Sequence, residues 1–250
     1  MSNNTPLIEF KKITKKFGDL TVLDQINFSI NHGTITSIIG KSGVGKSVLL
    51  KHIIGLLEPD EGDMLFSGKK IFDLTKKELK NIRRKFSYMF QNMALFDSMT
   101  ILENIALPLI EKNIYKKTEI INKAMEKISQ LELDDIVNKY PSQISGGMQK
   151  RVALARALVT DPEIVLFDEP TTGLDPIRKK AVFDMIQYYQ KQFDFTAVVV
   201  SHDIPDIFYI SHKIALLENA KIVFEGTLDD IYACNEPFIK EFIKERKIGV

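Results

Sequence analysis

The sequence contains one cysteine and no tryptophan in 250 residues. A lone thiol, Cys234, excludes an internal disulfide and a multi-thiolate metal centre, so a reducing compartment is expected. No run approaches the roughly 18 to 20 apolar residues that a membrane-crossing helix requires. The apolar stretches at 35–39 and 197–200 are strand-sized, and the first is interrupted by Thr36 and Ser37. Polar side chains occupy Met1 to Phe10, where a secretory leader has its apolar core, so no export is expected and the cytosol is favoured. Charge of one sign is also lacking. Thirty-four Lys plus Arg against 33 Asp plus Glu leave a net charge of +1, which provides no overall field to hold nucleic acid or another acidic polymer. What is present, 44% hydrophobic and 27% charged residues, is the composition of a folded chain that buries a core without staples. At roughly 150 residues per domain it makes one large domain or two small ones.

The order of patterns along the chain is informative. Residues 7–13 and 26–30 read as β-rich, the latter with period-two alternation that suits a sheet with one wet face. A strand over 34–39 runs into a glycine-rich loop and then a helix predicted over 46–57. A Pro-Asp-Glu-Gly-Asp turn at 59–63, a strand at 64–66, a lysine-rich helix over about 74–84 and a strand at 86–91 follow. From 92 to 159 helical spacing dominates, with helices predicted at 101–111, 117–131 and 148–159. A fully apolar strand at 164–167 and a second buried strand at 196–200 flank a helix at 178–192. A short helix at 206–211, a hairpin over 213–224 and one amphipathic helical tail from 227 to 250 complete the expectation.

Three segments carry chemistry. Gly40-Lys41-Ser42-Gly43-Val44-Gly45-Lys46-Ser47, followed by Val48, fits a phosphate loop between strand and helix. Its glycines let backbone N–H groups turn toward phosphate, and the helix adds its positive end. Lys46 would reach the β- and γ-phosphates and Ser47 would ligate magnesium. The apolar strand ending in Asp168-Glu169 supplies two acids at a sheet edge: Asp168 to hold the metal, Glu169 to orient or deprotonate water. Because adjacent strand residues face opposite sides, the two acids are expected to have different tasks. Ser145-Gly146-Gly147-Met148 opens a helix whose exposed N–H groups form a second anion-binding terminus; read alone, it also fits an ordinary serine-capped helix.

Phosphate loop, Gln91 at a strand end, Ser-Gly-Gly helix, Asp-Glu strand and Ser201-His202-Asp203 follow one another in an order that resembles the ATP-binding-cassette (ABC) ATPases over about residues 7–225. The resemblance implies an α/β fold: a P-loop NTPase core with an N-terminal antiparallel β subdomain and an inserted α-helical subdomain. It implies a single ABC ATPase domain, with 1–91 and 160–225 as nucleotide-binding core, 92–159 as helical subdomain and 226–250 as C-terminal tail. It further implies ATP and magnesium as ligands, Phe17 stacking on adenine, Gln91 touching magnesium and reporting to a membrane partner, and His202 touching the γ-phosphate. Phe17 also fits a core phenylalanine at a turn, and His202 a satisfied strand-end histidine. Ser145 to Met148 would contact a nucleotide held by a second copy of the chain, and the loop ending at Asp175 would cross that dimer interface. The chemistry agrees: one chain provides a cation, a metal site and a base but no arginine finger, so the missing donors would come from the partner.

The wording of Ala94-Leu95-Phe96-Asp97-Ser98-Met99-Thr100, of Met148 and of the segment from Asp168 to Ile177 resembles more narrowly the ATPases of Mla-type phospholipid transport systems, the group linked to MCE lipid-binding proteins. That resemblance implies permease subunits docking near Gln91 to Thr100, an MCE-type protein in the complex, no nucleic acid, and a place on the cytoplasmic face of the inner membrane. The open alternatives are a cassette for amino acids, ions or lipoproteins, a non-transport cassette, and a catalytically silent subunit. Phe238, Ile239, Phe242 and Ile243 share one helical face, as a partner-binding strip would.

Overall fold

The computed structural model describes residues 6–90 and 92–247. In chain order the first elements are β1 (Ile8–Phe17), β2 (Leu20–Ile30), β3 (Ile35–Ile39), α1 (Lys46–Ile53), β4 (Glu61–Phe66) and β5 (Lys69–Lys70). Then come α2 (Lys76–Arg83), β6 (Phe86–Met89), α3 (Ile101–Lys112), α4 (Lys117–Gln130), α5 (Gly146–Leu158) and β7 (Ile164–Asp168). The chain continues through α6 (Pro176–Phe193), β8 (Thr196–Ser201), β9 (Lys213–Glu218), β10 (Lys221–Gly226), α7 (Leu228–Ala233) and α8 (Pro237–Lys247).

Two strand patterns become two sheets. The alternating strands form an antiparallel sheet in the order β2-β1-β4-β5, with Ile8 opposite Ile30 and Phe10 opposite Phe28. The uninterrupted apolar strands form a sheet in the order β10-β9-β3-β8-β7-β6, parallel from β9 to β6 and closed by antiparallel β10. Both faces of this second sheet are covered. Ile164, Leu166, Val198 and Val200 pack against β1, β2, β4 and α1, whereas Val165, Phe167, Ala197 and Val199 pack against α3, α5 and α6. A strand buried on both faces has no wet side to alternate toward, which explains the unbroken runs.

Several bounds differ from the expectation. α1 stops at Ile53 rather than Leu57 because Gly55 takes a left-handed φ of +65°, so that Gly55 N donates to His52 O (2.8 Å) and Leu56 N to Lys51 O (2.9 Å). This glycine-terminated closure satisfies carbonyls that a longer helix would have used. The tail is two helices, α7 and α8, separated at 234–236 before Pro237. Ile239, Phe242 and Ile243 are buried in the chain's own core and only Phe238 is exposed, so the strip read as a partner-binding face is spent mainly within the protomer. Gln91 and residues 248–250 lie outside the described residues.

Between β6 and α3 the chain carries exposed Phe90 and Phe96. This segment is held by one buried side chain, Asn104. Its Oδ1 accepts from Phe96 N (2.8 Å), and its Nδ2 donates to the carbonyls of Phe96, Met99 and Thr100 at 3.0 to 3.1 Å. Arg156 of α5 adds donors to the carbonyls of Met93 and Ala94. Leaving such buried backbone groups unpaired costs about 1–3 kcal/mol. Asn104→Ala is therefore expected to lower the melting temperature by about 2–12 °C, measured calorimetrically.

His52, fully buried in α1, has Nδ1 2.8 Å from Val48 O and, among the described residues, no hydrogen-bond partner on Nε2. Burial holds its pKa below the ordinary 6.5. The unfolded chain then binds more protons just below that pH, so the contribution of neutral His52 to stability is present above about 6.5 and is lost as pH falls. Melting temperature recorded from pH 7.5 to 5 should fall less steeply for His52→Leu than for the parent; parallel curves would contradict this.

Candidate functional site

Parallel pairing brings three strand ends to one edge. Ile39 lies opposite Ser201 and Asp168 opposite Val200, so β3, β7 and β8 deliver the phosphate loop, the two acids and His202 to the same place. In the loop, Gly45 caps α1 with φ +107°, and a Cβ there would lie 2.8 Å from Val22 Cγ1. Gly40, at φ +157°, would place a Cβ 2.4 Å from Leu217 O, so neither position admits a side chain. An added Cβ on Gly43 meets nothing within 4 Å, which leaves that side of the loop open to a ligand. Lys41 and Ser42 are exposed, and Val44 and Val48 pack partly buried against the core beneath.

Lys46 is almost wholly buried, and its Nζ donates to Gly40 O (3.0 Å) and Lys41 O (2.9 Å). It also pairs with Glu169 Oε1 at 3.3 Å. The other carboxylate oxygen, Glu169 Oε2, lies 2.7 Å from His202 Nδ1, and Thr172 Oγ1 donates to it at 3.5 Å. Glu169 has φ +51°, a left-handed conformation that costs a non-glycine residue about 1–2 kcal/mol. The chain turns at Glu169 beyond the strand end, and the two acids contact different partners. Asp168 is held by other partners: its Oδ1 accepts from Ser47 Oγ (2.9 Å) and its Oδ2 from Tyr88 OH (2.7 Å). Burial first, then the bond to Asp168, pushes the Tyr88 phenol above its ordinary pKa, so it stays a neutral donor.

Sequence reasoning missed Tyr88, because nothing local marks one strand tyrosine as the partner of an acid 80 residues away. It also missed the cluster beneath His202. Asp203 accepts from Thr171 Oγ1 and pairs with Lys179 of α6, tying the His202 turn to the Asp-Glu loop and to the helix after it. Lys150 of α5 donates to Pro170 O in the same loop. Asp203 stood beside His202 in the quoted triplet, but Lys179 lies in a run of cations with no local signal.

The remaining expected residues lie elsewhere. Ser145 caps α5 by accepting from Met148 N (3.3 Å), and Gly146 and Gly147 leave open space around it. That terminus opens onto a groove of about 600 Å³ lined also by Met93, Thr172, Leu174 and Arg178. Among the described residues none of Ser145 to Met148 bonds to Lys46, Ser47, Asp168 or Glu169. Asp175 caps α6 by accepting from Arg178 N (3.0 Å). Phe17 is 50% exposed, with Lys15 Nζ 5.7 Å from its ring centre, so it is not a core residue. Ser47 and Asp168 form a pair of hard oxygen donors of the kind that suits magnesium held mainly by phosphate and water.

The chain matches the ABC transporter family over residues 23–172. It is 39% identical over 242 residues to the probable ribonucleotide transport ATP-binding protein mkl of Mycobacterium leprae, covering 97% of this chain and 70% of that protein. It is 35% identical over 246 residues to the intermembrane phospholipid transport system ATP-binding protein MlaF of Haemophilus influenzae, covering 98% of this chain and 93% of that one. Among solved structures, the dimeric post-hydrolysis state of the ATP-binding cassette MJ0796 bound to ADP and Pi superposes with a TM-score of 0.75 at 36% identity, covering 88% of this chain and 98% of that one. With its phosphate loop, paired acids and strand-end histidine converging at one sheet edge, the chain belongs to the ABC transporter family as an ATP-binding, ATP-hydrolysing subunit.

Proposed function

We propose that this ATPase drives the movement of phospholipid between membranes of the cell envelope, as a pair of identical chains that hold two ATP molecules between them. The lipid reading rests on the alignment with a phospholipid-transport ATPase across 98% of this chain and 93% of that one. A ribonucleotide cargo is the second reading, carried by the 39% identity to the mycobacterial protein. Residues 1–91 and 160–225 act as the nucleotide core, 92–159 as a helical arm and 226–250 as a tail.

Each residue then has a task. The loop from Gly40 to Ser47 wraps phosphate with backbone N–H groups, and Lys46 neutralises the β- and γ-phosphates. Ser47, Asp168 and Gln91 hold magnesium, which when bound supplies positive charge against the phosphate oxygens. Glu169 accepts a proton from the attacking water, with His202 Nδ1 holding its Oε2 and Lys46 its Oε1. The observation that supports this assignment is the Lys46–Glu169–His202 chain of contacts, a buried cation and an imidazole on the two oxygens of one carboxylate. Phe17, exposed at a turn, stacks on adenine. Ser145 to Met148 of the second copy complete each site, with the Asp175 loop between them. Permease subunits, working with an MCE-type lipid-binding protein, dock on the segment from Gln91 to Thr100, placing the ATPase on the cytoplasmic face of the inner membrane.

Glu169→Gln should bind ATP but hydrolyse it about a hundredfold or more slowly, and accumulate as a dimer in ATP. Normal turnover in a phosphate-release assay would overturn the base assignment. Purified from membranes with its permease, the complex should carry phospholipid detectable by mass spectrometry and show ATPase stimulated by phospholipid vesicles. Stimulation by ribonucleotides and not by vesicles would favour the second reading.

A further inference from the structure

Tyr88 sits in β6 opposite Leu166 of β7. Asp168 lies two residues further along β7, about 6.6 Å at the rise of a strand, and the tyrosine side chain bridges that distance to put its hydroxyl 2.7 Å from Oδ2. The ring packs, tilted, against that of Phe90, with ring centres 4.5 Å apart. An ionised carboxylate only accepts, so the phenol donates. Both oxygens of Asp168 are thereby assigned, Oδ2 to Tyr88 and Oδ1 to Ser47.

A carboxylate on an aspartate swings broadly about its last torsion. Held at one oxygen by a packed ring, it presents the other in one direction. We infer that Tyr88 is a positioning residue for the magnesium site, holding Asp168 Oδ2 so that Oδ1 stays aimed at the Ser47 hydroxyl. The inference rests on the assignment of Ser47 and Asp168 as magnesium donors given above. It also links that site to the partner-facing segment, because β6 runs directly into Phe90 and Gln91. The competing account is that a part-buried phenol merely needs an acceptor and finds the nearest one.

Tyr88→Phe removes one oxygen and keeps the ring, and is best measured in the Glu169→Gln background, where nucleotide is not consumed. Calorimetric titration with ATP in chelator and with Mn²⁺–ATP separates phosphate binding from metal binding. Tyr88→Phe is expected to bind metal-free ATP as the parent does and to lose about tenfold in the gain that Mn²⁺ adds, with the melting temperature little changed. An undiminished Mn²⁺ gain would overturn the inference, as would an equal loss in both titrations accompanied by a lower melting temperature. Asp168→Asn is the control. If it keeps the full Mn²⁺ gain, the metal assignment itself fails and takes the inference with it. If it loses the gain while Tyr88→Phe does not, only the role of Tyr88 fails.

Discussion

A buried ammonium group has to be compensated, and at Lys46 the compensation organises the site. Two carbonyls of its own loop, Gly40 and Lys41, and one carboxylate oxygen of Glu169 surround it. Those carbonyls reach it because Gly40 and Gly45 bend where any other residue would collide with Leu217 or Val22. Glu169 reaches it because the chain leaves β7 in a left-handed turn. The same turn hands the second oxygen of Glu169 to His202. Loop shape, backbone strain and the orientation of Glu169 therefore answer to a single charge. Strain of this kind persists only where the surroundings fix it, and here Glu169 N also donates to Val200 O at 3.0 Å, anchoring the turn to β8.

Much of this was legible in the sequence because the relevant signals are local. The glycine spacing from 40 to 45, the apolar run before Asp168 and the serine before Gly146-Gly147 each state their structure within a few residues. The half-buried β2 and the fully buried β7 and β8 were legible from local pattern, alternation in one and its absence in the others, whereas the separate antiparallel sheet followed from the family resemblance. What was not legible depends on contacts between distant parts of the chain. Tyr88 finds Asp168 only because β6 and β7 pair in one register, and Lys179 finds Asp203 only because α6 folds back under β8. The tail was misread because amphipathicity identifies an apolar face but not its partner. Ile239, Phe242 and Ile243 have theirs within the same chain.

The serine-capped terminus of α5 is a different case. Read alone, its sequence favours an ordinary capped helix over an anion site, and within one chain it is a capped helix, with Ser145 accepting from Met148 N. On the proposed reading, its exposed glycines face a nucleotide held by a second copy of the chain. Phosphoryl transfer needs charge neutralised on every side of the transferred group, and the Lys46 side of this chain provides only one.

The central claim is that each ATP site is shared between two chains, and an acid placed at the α5 terminus tests it most directly. Gly147 has nothing within 4 Å of an added Cβ, so Gly147→Asp should fold, while its charge would oppose a phosphate presented by the other chain. Analytical ultracentrifugation of Glu169→Gln and of Glu169→Gln/Gly147→Asp, each with saturating ATP, gives the answer. The account predicts a dimer for the first and an ATP-loaded monomer for the second. A dimer that forms equally in both would contradict it.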